Sequence, residues 1–184
     1  MPKSDSALLT DFYQLNMLAA YLDHGLTETA VFELFVRKLP PRRGFLMVAG
    51  LEQALQFLET LAFTSENLEA IRDLGKFSDR FIGYLRSFRF SGDVDAMPEG
   101  TVFFPDEPIF RVTAPLPEAQ FVETRLVNLL HFQTVIASKA ARMVLAASGK
   151  PLIDYGLRRA HGAEAGVLAG WTAYDKPQRF VACR

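Results

Sequence analysis

Cysteine is nearly missing: Cys183 is the only one in 184 residues. An internal disulfide is therefore excluded, and a reducing cytoplasm is the expected setting. Histidine is scarce as well. His24, His131 and His161 lie far apart, and no Cys/His/Asp set has metal-site spacing, so structural zinc is not expected. Charge of one sign is also lacking. The formal net charge is -1, which gives no global attraction to nucleic acid or an acidic membrane, so an anionic ligand must be held by local charge. No stretch approaches the roughly 18 uninterrupted apolar residues of a membrane span. Met1-Pro2-Lys3-Ser4-Asp5-Ser6 leads into no long apolar run, so no secretory signal is expected. A glycine-rich phosphate loop, a nucleophile elbow, a kinase signature and internal repeats are all absent.

What is present is apolar and aromatic. Hydrophobic residues make up 49% of the chain, with 16 Phe, enough for a sizeable core and too many for a disordered chain. Residues 10–24 read as a helix, with Thr10 suited to the N-cap, Asp11 to the helix start and Gly25 to the stop. Leu15, Leu18, Ala19 and Leu22 share one face. Residues 29–37 alternate and predict a strand, with Ala30, Phe32, Leu34 and Val36 on one side. Pro40-Pro41-Arg42-Arg43-Gly44 is a loop. Short helices are expected over 51–61, with Leu51, Leu55 and Leu58 on one stripe, over 65–74, and over 78–88, with Phe81, Leu85 and Phe88 inward. Short strands follow near Val94 and Ala96, over 101–104 and over 108–113, their prolines suiting edges.

Pro115-Leu116-Pro117 marks the best internal boundary, so domains over 1–115 and 116–184 are expected. Pro117 opens a long helix to about Ala147. Its second half is rich in small residues, among them Ala137, Ser138, Ala140 and Ala141, which let a helix lie close to a partner. Pro151-Leu152-Ile153-Asp154 reads as a buried strand entering a βα turn. Gly156-Leu157-Arg158-Arg159 then sits at the strand's C-terminal end, where barrels and open α/β sheets bind ligands. Helical signal resumes over 163–168, and from about Ala169 the period is lost. The fold class is α+β.

Arg158-Arg159 is the sharpest local feature. Guanidinium groups grip carboxylates and phosphates with paired hydrogen bonds; the alternative is a surface salt bridge with Asp154 or Glu164. Tyr13, at the start of the first helix, suits either stacking on a flat aromatic ligand or a half-buried core position. Asp11 reads as a helix-start charge. Arg37, Lys38, Arg42 and Arg43 suit a phosphate or a solvated loop face. Glu118, Glu123, Lys139 and Arg142 read as exposed charge or helix-to-helix pairs, and His161 as a substrate donor or a solvent-facing side chain. The residues by themselves reach an α+β chain with a candidate anion site near position 158.

Several segments, in order from about residue 7 to about residue 168, resemble the nicotinate phosphoribosyltransferase family. They include Leu9-Thr10-Asp11-Phe12-Tyr13-Gln14, Phe32-Glu33-Leu34-Phe35-Val36-Arg37-Lys38-Leu39-Pro40, Pro98-Glu99-Gly100-Thr101-Val102-Phe103-Phe104-Pro105, Glu123-Thr124, Ala137-Ser138-Lys139-Ala140-Ala141-Arg142 and Asp154-Tyr155-Gly156-Leu157-Arg158-Arg159-Ala160. The resemblance implies the mixed N-terminal domain of a type II phosphoribosyltransferase over 1–115, followed from 116 by the beginning of an incomplete α/β barrel. It implies transfer of phosphoribose from phosphoribosyl pyrophosphate to nicotinate in NAD salvage, assisted by ATP and Mg2+, in a homodimer. Tyr13 then resembles the tyrosine that reaches across the dimer and stacks on the pyridine ring. Arg158 resembles the strand-end arginine that engages the anionic substrates, with Arg159 as its neighbour.

The family's phosphorylated histidine is expected beyond the chain end, and none of the three histidines stands in its context. The stretch from about Ala169 departs from the family pattern, as a frameshift would leave it. The expectation is a truncated chain, inactive alone. The alternative is a non-catalytic module that pairs with a full-length copy.

Overall fold

Short polar residues ahead of apolar runs set the helix starts in this chain, whose computed structural model describes residues 6–175 and 180–182. Residues 1–5, 176–179 and 183–184 lie outside that description, and with them the readings of the N-terminal segment, of Cys183 and of much of the tail.

In chain order the elements are α1 (Phe12–His24), β1 (Thr29–Leu34), β2 (Leu46–Met47), α2 (Leu51–Thr60), α3 (Ser65–Asp73), α4 (Asp79–Ser87), β3 (Asp93–Ala96), β4 (Val102–Phe103), β5 (Phe110–Pro115), α5 (Leu116–Ala147), β6 (Leu152–Asp154), a 3-10 turn (Gly156–Arg159), α6 (Ala163–Asp175) and β7 (Phe180–Ala182). This is the mixed α+β chain expected. No described helix is long and apolar enough to cross a membrane.

The cap of α1 is Asp11 rather than Thr10, and it makes no side-chain cap bond. Its carboxylate is taken instead by the Thr124 hydroxyl at 3.1 Å. Thr10 Oγ1 is buried without a hydrogen-bond partner. Gly25 ends α1 in the left-handed region, at φ 65°, as its lack of a Cβ permits. Thr64 caps α3, in a reciprocal box with Asn67, and Ser78 caps α4 by accepting from Phe81 N.

By packing, the chain forms two compact units that interleave in sequence: 1–34, 52–95 and 110–127 in the first; 35–51, 96–109 and 128–184 in the second. In the first, β5 is the middle strand of a three-stranded sheet between β1 and β3. It pairs antiparallel with β1, from Thr29 opposite Pro115 to Leu34 opposite Phe110. The ladder ends there, so the strand stops at Leu34, short of the expected 37. Glu33 and Arg111 face each other in this register and form an ion pair at 2.6 Å. The core gathers Leu18, Ile71, Phe81, Ile82, Leu85 and Phe121, all nearly or fully buried. Phe63, Phe88 and Phe121 meet one another with centroids 5.2 to 5.8 Å apart. Such pairs contribute about 0.5–1.5 kcal/mol each beyond area burial. The expected stripe on α2 is shifted: Ala54 and Leu58 are buried while Leu55 is exposed.

In the second unit β2 and β4 form a short antiparallel pair. β6 pairs parallel with β7 across α6, a βαβ connection. The strand expected to be buried is only partly so. Ile153 is 54% exposed, whereas Leu152 is partly buried against Ala140, and β6 has one described strand partner. The helix expected to fade near 168 continues to Asp175.

Candidate functional site

α1 turns its first residues in opposite senses. Gln14, Leu15 and Leu18 point inward, whereas Tyr13 leaves its side chain 47% exposed. Gln14 has 0% exposure, so its amide must find partners within the protein. Its Nε2 donates to Tyr13 Oη at 2.9 Å, to Glu123 Oε2 at 2.9 Å and to Thr124 Oγ1 at 3.3 Å. Its Oε1 accepts from Gln120 Nε2 at 2.8 Å. Tyr13 Oη donates to Glu123 Oε2 at 3.1 Å. Desolvation raises the Tyr13 pKa above its ordinary value; a Thr124 hydrogen bond works against this, and the Glu123 and Asp11 carboxylates reinforce it. The result is a neutral phenol, anchored at its hydroxyl, with ring surface open to solvent.

In the second unit, the Asp154 carboxylate accepts the Gly156 N–H at 2.7 Å, a side-chain turn that launches the 3-10 segment carrying Arg158 and Arg159. A cavity of about 380 Å³ lies beside it. Phe132, Ile136, Met143 and Leu157 give it apolar walls, and Lys139, Arg159 and His161 supply basic groups against the one acid, Asp154. An apolar concavity with a basic edge suits a flat or anionic ligand. Arg159 lines this cavity; Arg158 is exposed on the same turn and is not among the lining residues. Among the described residues neither arginine forms the salt bridge with Asp154 or Glu164 that the sequence left open.

Tyr13 thus belongs to the first unit, and Arg158 and Arg159 stand together in the second. Arg37, Lys38 and Arg42 are exposed, in keeping with a solvated loop face. Sequence reasoning missed the buried Gln14 and its partners. The signal was present: Gln120, Glu123 and Thr124 are spaced i, i+3 and i+4 on α5 and so share a face. Lys139, read there as exposed charge, also edges the cavity.

Residues 8–131 match the model of the nicotinate phosphoribosyltransferase N-terminal domain. A nicotinate phosphoribosyltransferase of Mycobacterium tuberculosis is 51% identical over 168 residues, covering 91% of this chain and 36% of the relative. The Bacillus subtilis enzyme of the same name is 43% identical over 180 residues, covering 93% of this chain and 37% of its own length. Among solved structures, human nicotinic acid phosphoribosyltransferase superposes with a TM-score of 0.81 at 33% identity, covering 90% of this chain and 34% of that one. The chain spans a little over a third of the length of these curated relatives. Matched over most of its own length, from the Tyr13 helix through the first half of α5, it belongs to the nicotinate phosphoribosyltransferase family.

Proposed function

We propose that this chain supplies the N-terminal part of a nicotinate phosphoribosyltransferase, which joins nicotinate to phosphoribosyl pyrophosphate to give nicotinate mononucleotide and pyrophosphate. The observation that carries the reading is the placement of Tyr13 within the family match: its ring is half exposed and its hydroxyl is bonded on both sides, as donor and as acceptor. A ring so held is ready to stack on the pyridine. Arg158 receives the anionic groups at the end of β6, and Arg159 reaches the same ligand from the cavity wall. The substrates carry a carboxylate, a 5′-phosphate and a pyrophosphate, and guanidinium suits all of them. In an oxocarbenium-like transition state such groups act by orientation and by stabilising charge on the leaving group.

The proposal extends to the architecture and the setting. By the family pattern, residues 1–115 are read as the N-terminal domain and 116–184 as the start of an α/β barrel, a division along the sequence that differs from the interleaved packing units; the parallel pair β6 and β7 across α6 supports the barrel reading. The protein acts in the cytoplasm as a homodimer. ATP and Mg2+ belong to the reading through the family. Among the described residues no group of three or more His, Cys, Asp or Glu could hold a metal ion, and no step in this chain is assigned to one.

The test is a chimera. The corresponding third of the Mycobacterium tuberculosis relative is replaced by the matching residues of this chain. Formation of nicotinate mononucleotide from nicotinate, phosphoribosyl pyrophosphate and ATP is expected. A chimera that melts cooperatively yet makes no product contradicts the proposal.

A further inference from the structure

Three donors converge on one carboxylate oxygen. Glu123 Oε2 accepts from Tyr13 Oη at 3.1 Å, from Gln14 Nε2 at 2.9 Å and from Gln120 Nε2 at 3.1 Å. Gln14 is wholly buried, and its carbonyl is fixed by Gln120 at 2.8 Å. The carboxylate therefore cannot swing away without breaking its bonds to both the Gln14 and the Gln120 amides. The Tyr13 hydroxyl uses both of its functions here, donating to Glu123 and accepting from Gln14 at 2.9 Å. The ring is held at its para position while much of its surface stays open.

We propose that Glu123 is a positioning residue for Tyr13: braced by Gln14 and Gln120, its carboxylate fixes the hydroxyl and so sets the ring in the orientation that receives a flat aromatic base. The inference rests on the reading of Tyr13 as the base-stacking residue. Its physical content is preorganisation. A ring ordered before the ligand arrives loses less conformational freedom on binding, so the effect falls on substrate affinity rather than on turnover. The raised Tyr13 pKa agrees with the geometry, because desolvation and the adjoining carboxylate both disfavour the phenolate.

The test reads Tyr13 itself, in the 184-residue chain without substrate. Tyrosine is labelled with carbon-13, and the Tyr13 ring signal is assigned by its loss in Tyr13→Phe. In the unmodified chain, ring contacts to Glu123 and Gln120 and a titration above the ordinary tyrosine value are expected. Glu123→Ala should abolish those contacts, average the ring signal and bring the titration down. Glu123→Gln keeps an acceptor oxygen and loses the charge, so contacts should persist while the titration falls. Ring contacts and titration unchanged in Glu123→Ala would overturn the proposal. If that variant does not fold, ring contacts and ring averaging unchanged in Glu123→Asp, which draws the carboxylate back by one methylene, overturn it. The base-stacking reading fails separately: Tyr13 released by Glu123→Ala, together with an unaltered nicotinate KM when Tyr13 is replaced in the chimera, leaves the positioning intact and removes its purpose.

Discussion

Ser138 accepts the backbone N–H of Met47 on its hydroxyl, at 2.8 Å and 91 residues away in sequence. One turn earlier on α5, Thr134 Oγ1 both accepts from Ala49 N and donates to Ala49 O, each at 3.3 Å. The small-residue face of α5 thus does more than allow close approach. Its hydroxyls satisfy backbone groups of the segment around β2, which is too short to satisfy them by sheet pairing alone. Ser138→Ala leaves the Met47 N–H without this acceptor and is expected to cost about 1–3 kcal/mol of stability. Urea unfolding checks this, and an unchanged midpoint contradicts it.

Gly50 lies between that segment and α2 at φ 103°. A Cβ there would sit 2.9 Å from Gln133 Nε2 and 3.0 Å from Leu129 O. Gln133 has little room to yield, since it is buried and its Oε1 accepts from Thr172 at 3.3 Å. Strain and crowding act together, and Gly50→Ala is expected to destabilise by about 1–3 kcal/mol. Thermal melting reads it; a melting temperature equal to that of the parent chain contradicts the close approach.

Alkaline stability tests the Tyr13 environment. Its pKa in the folded chain is raised above 10.0, first by desolvation and further by Glu123 and Asp11. The neutral form is the one the fold favours, so more protons are bound folded than unfolded within that window, and stability falls as pH rises. The contribution is complete below pH 10.0 and is lost as pH climbs through the folded value. Tyr13→Phe should therefore lose less stability than the parent between neutral and strongly alkaline pH. Tyr84, also raised by burial and then by Glu118, remains in both chains and cancels in the comparison. Identical pH profiles contradict the assignment.

Arg158 and Arg159 separate by substitution in the chimera. Charge-assisted bonds contribute about 1.5–3 kcal/mol, so Arg158→Ala is expected to raise KM for phosphoribosyl pyrophosphate about tenfold or more. Arg159→Ala should weaken binding less. Steady-state kinetics decide, and Arg158→Ala with the parent KM contradicts its role.

Much of the architecture was legible because it follows from local rules. The 3.6-residue period located α4 with Phe81, Leu85 and Phe88 inward, and alternation located β1 with Ala30, Phe32 and Leu34 on its packed side. Helix starts were less legible. Thr10, Asp11, Thr64 and Ser65 are all competent caps, and tertiary partners such as Thr124 decide among them. The burial of β6 was overstated because an apolar run does not reveal how many strands flank it. The Tyr13 network was hidden for a similar reason. Gln14 and Glu123 lie 109 residues apart, and nothing in either segment alone marks them as partners.

The central claim is that Tyr13 offers its ring to the base, and steady-state kinetics of Tyr13→Ala and Tyr13→Phe in the chimera test it most directly. Stacking of a base on an aromatic ring contributes about 1–3 kcal/mol, so Tyr13→Ala is expected to raise the nicotinate KM by roughly 5- to 160-fold. Tyr13→Phe keeps the ring and loses its anchor, and should fall between Tyr13→Ala and the parent. A nicotinate KM in Tyr13→Ala equal to that of the parent chimera contradicts the account.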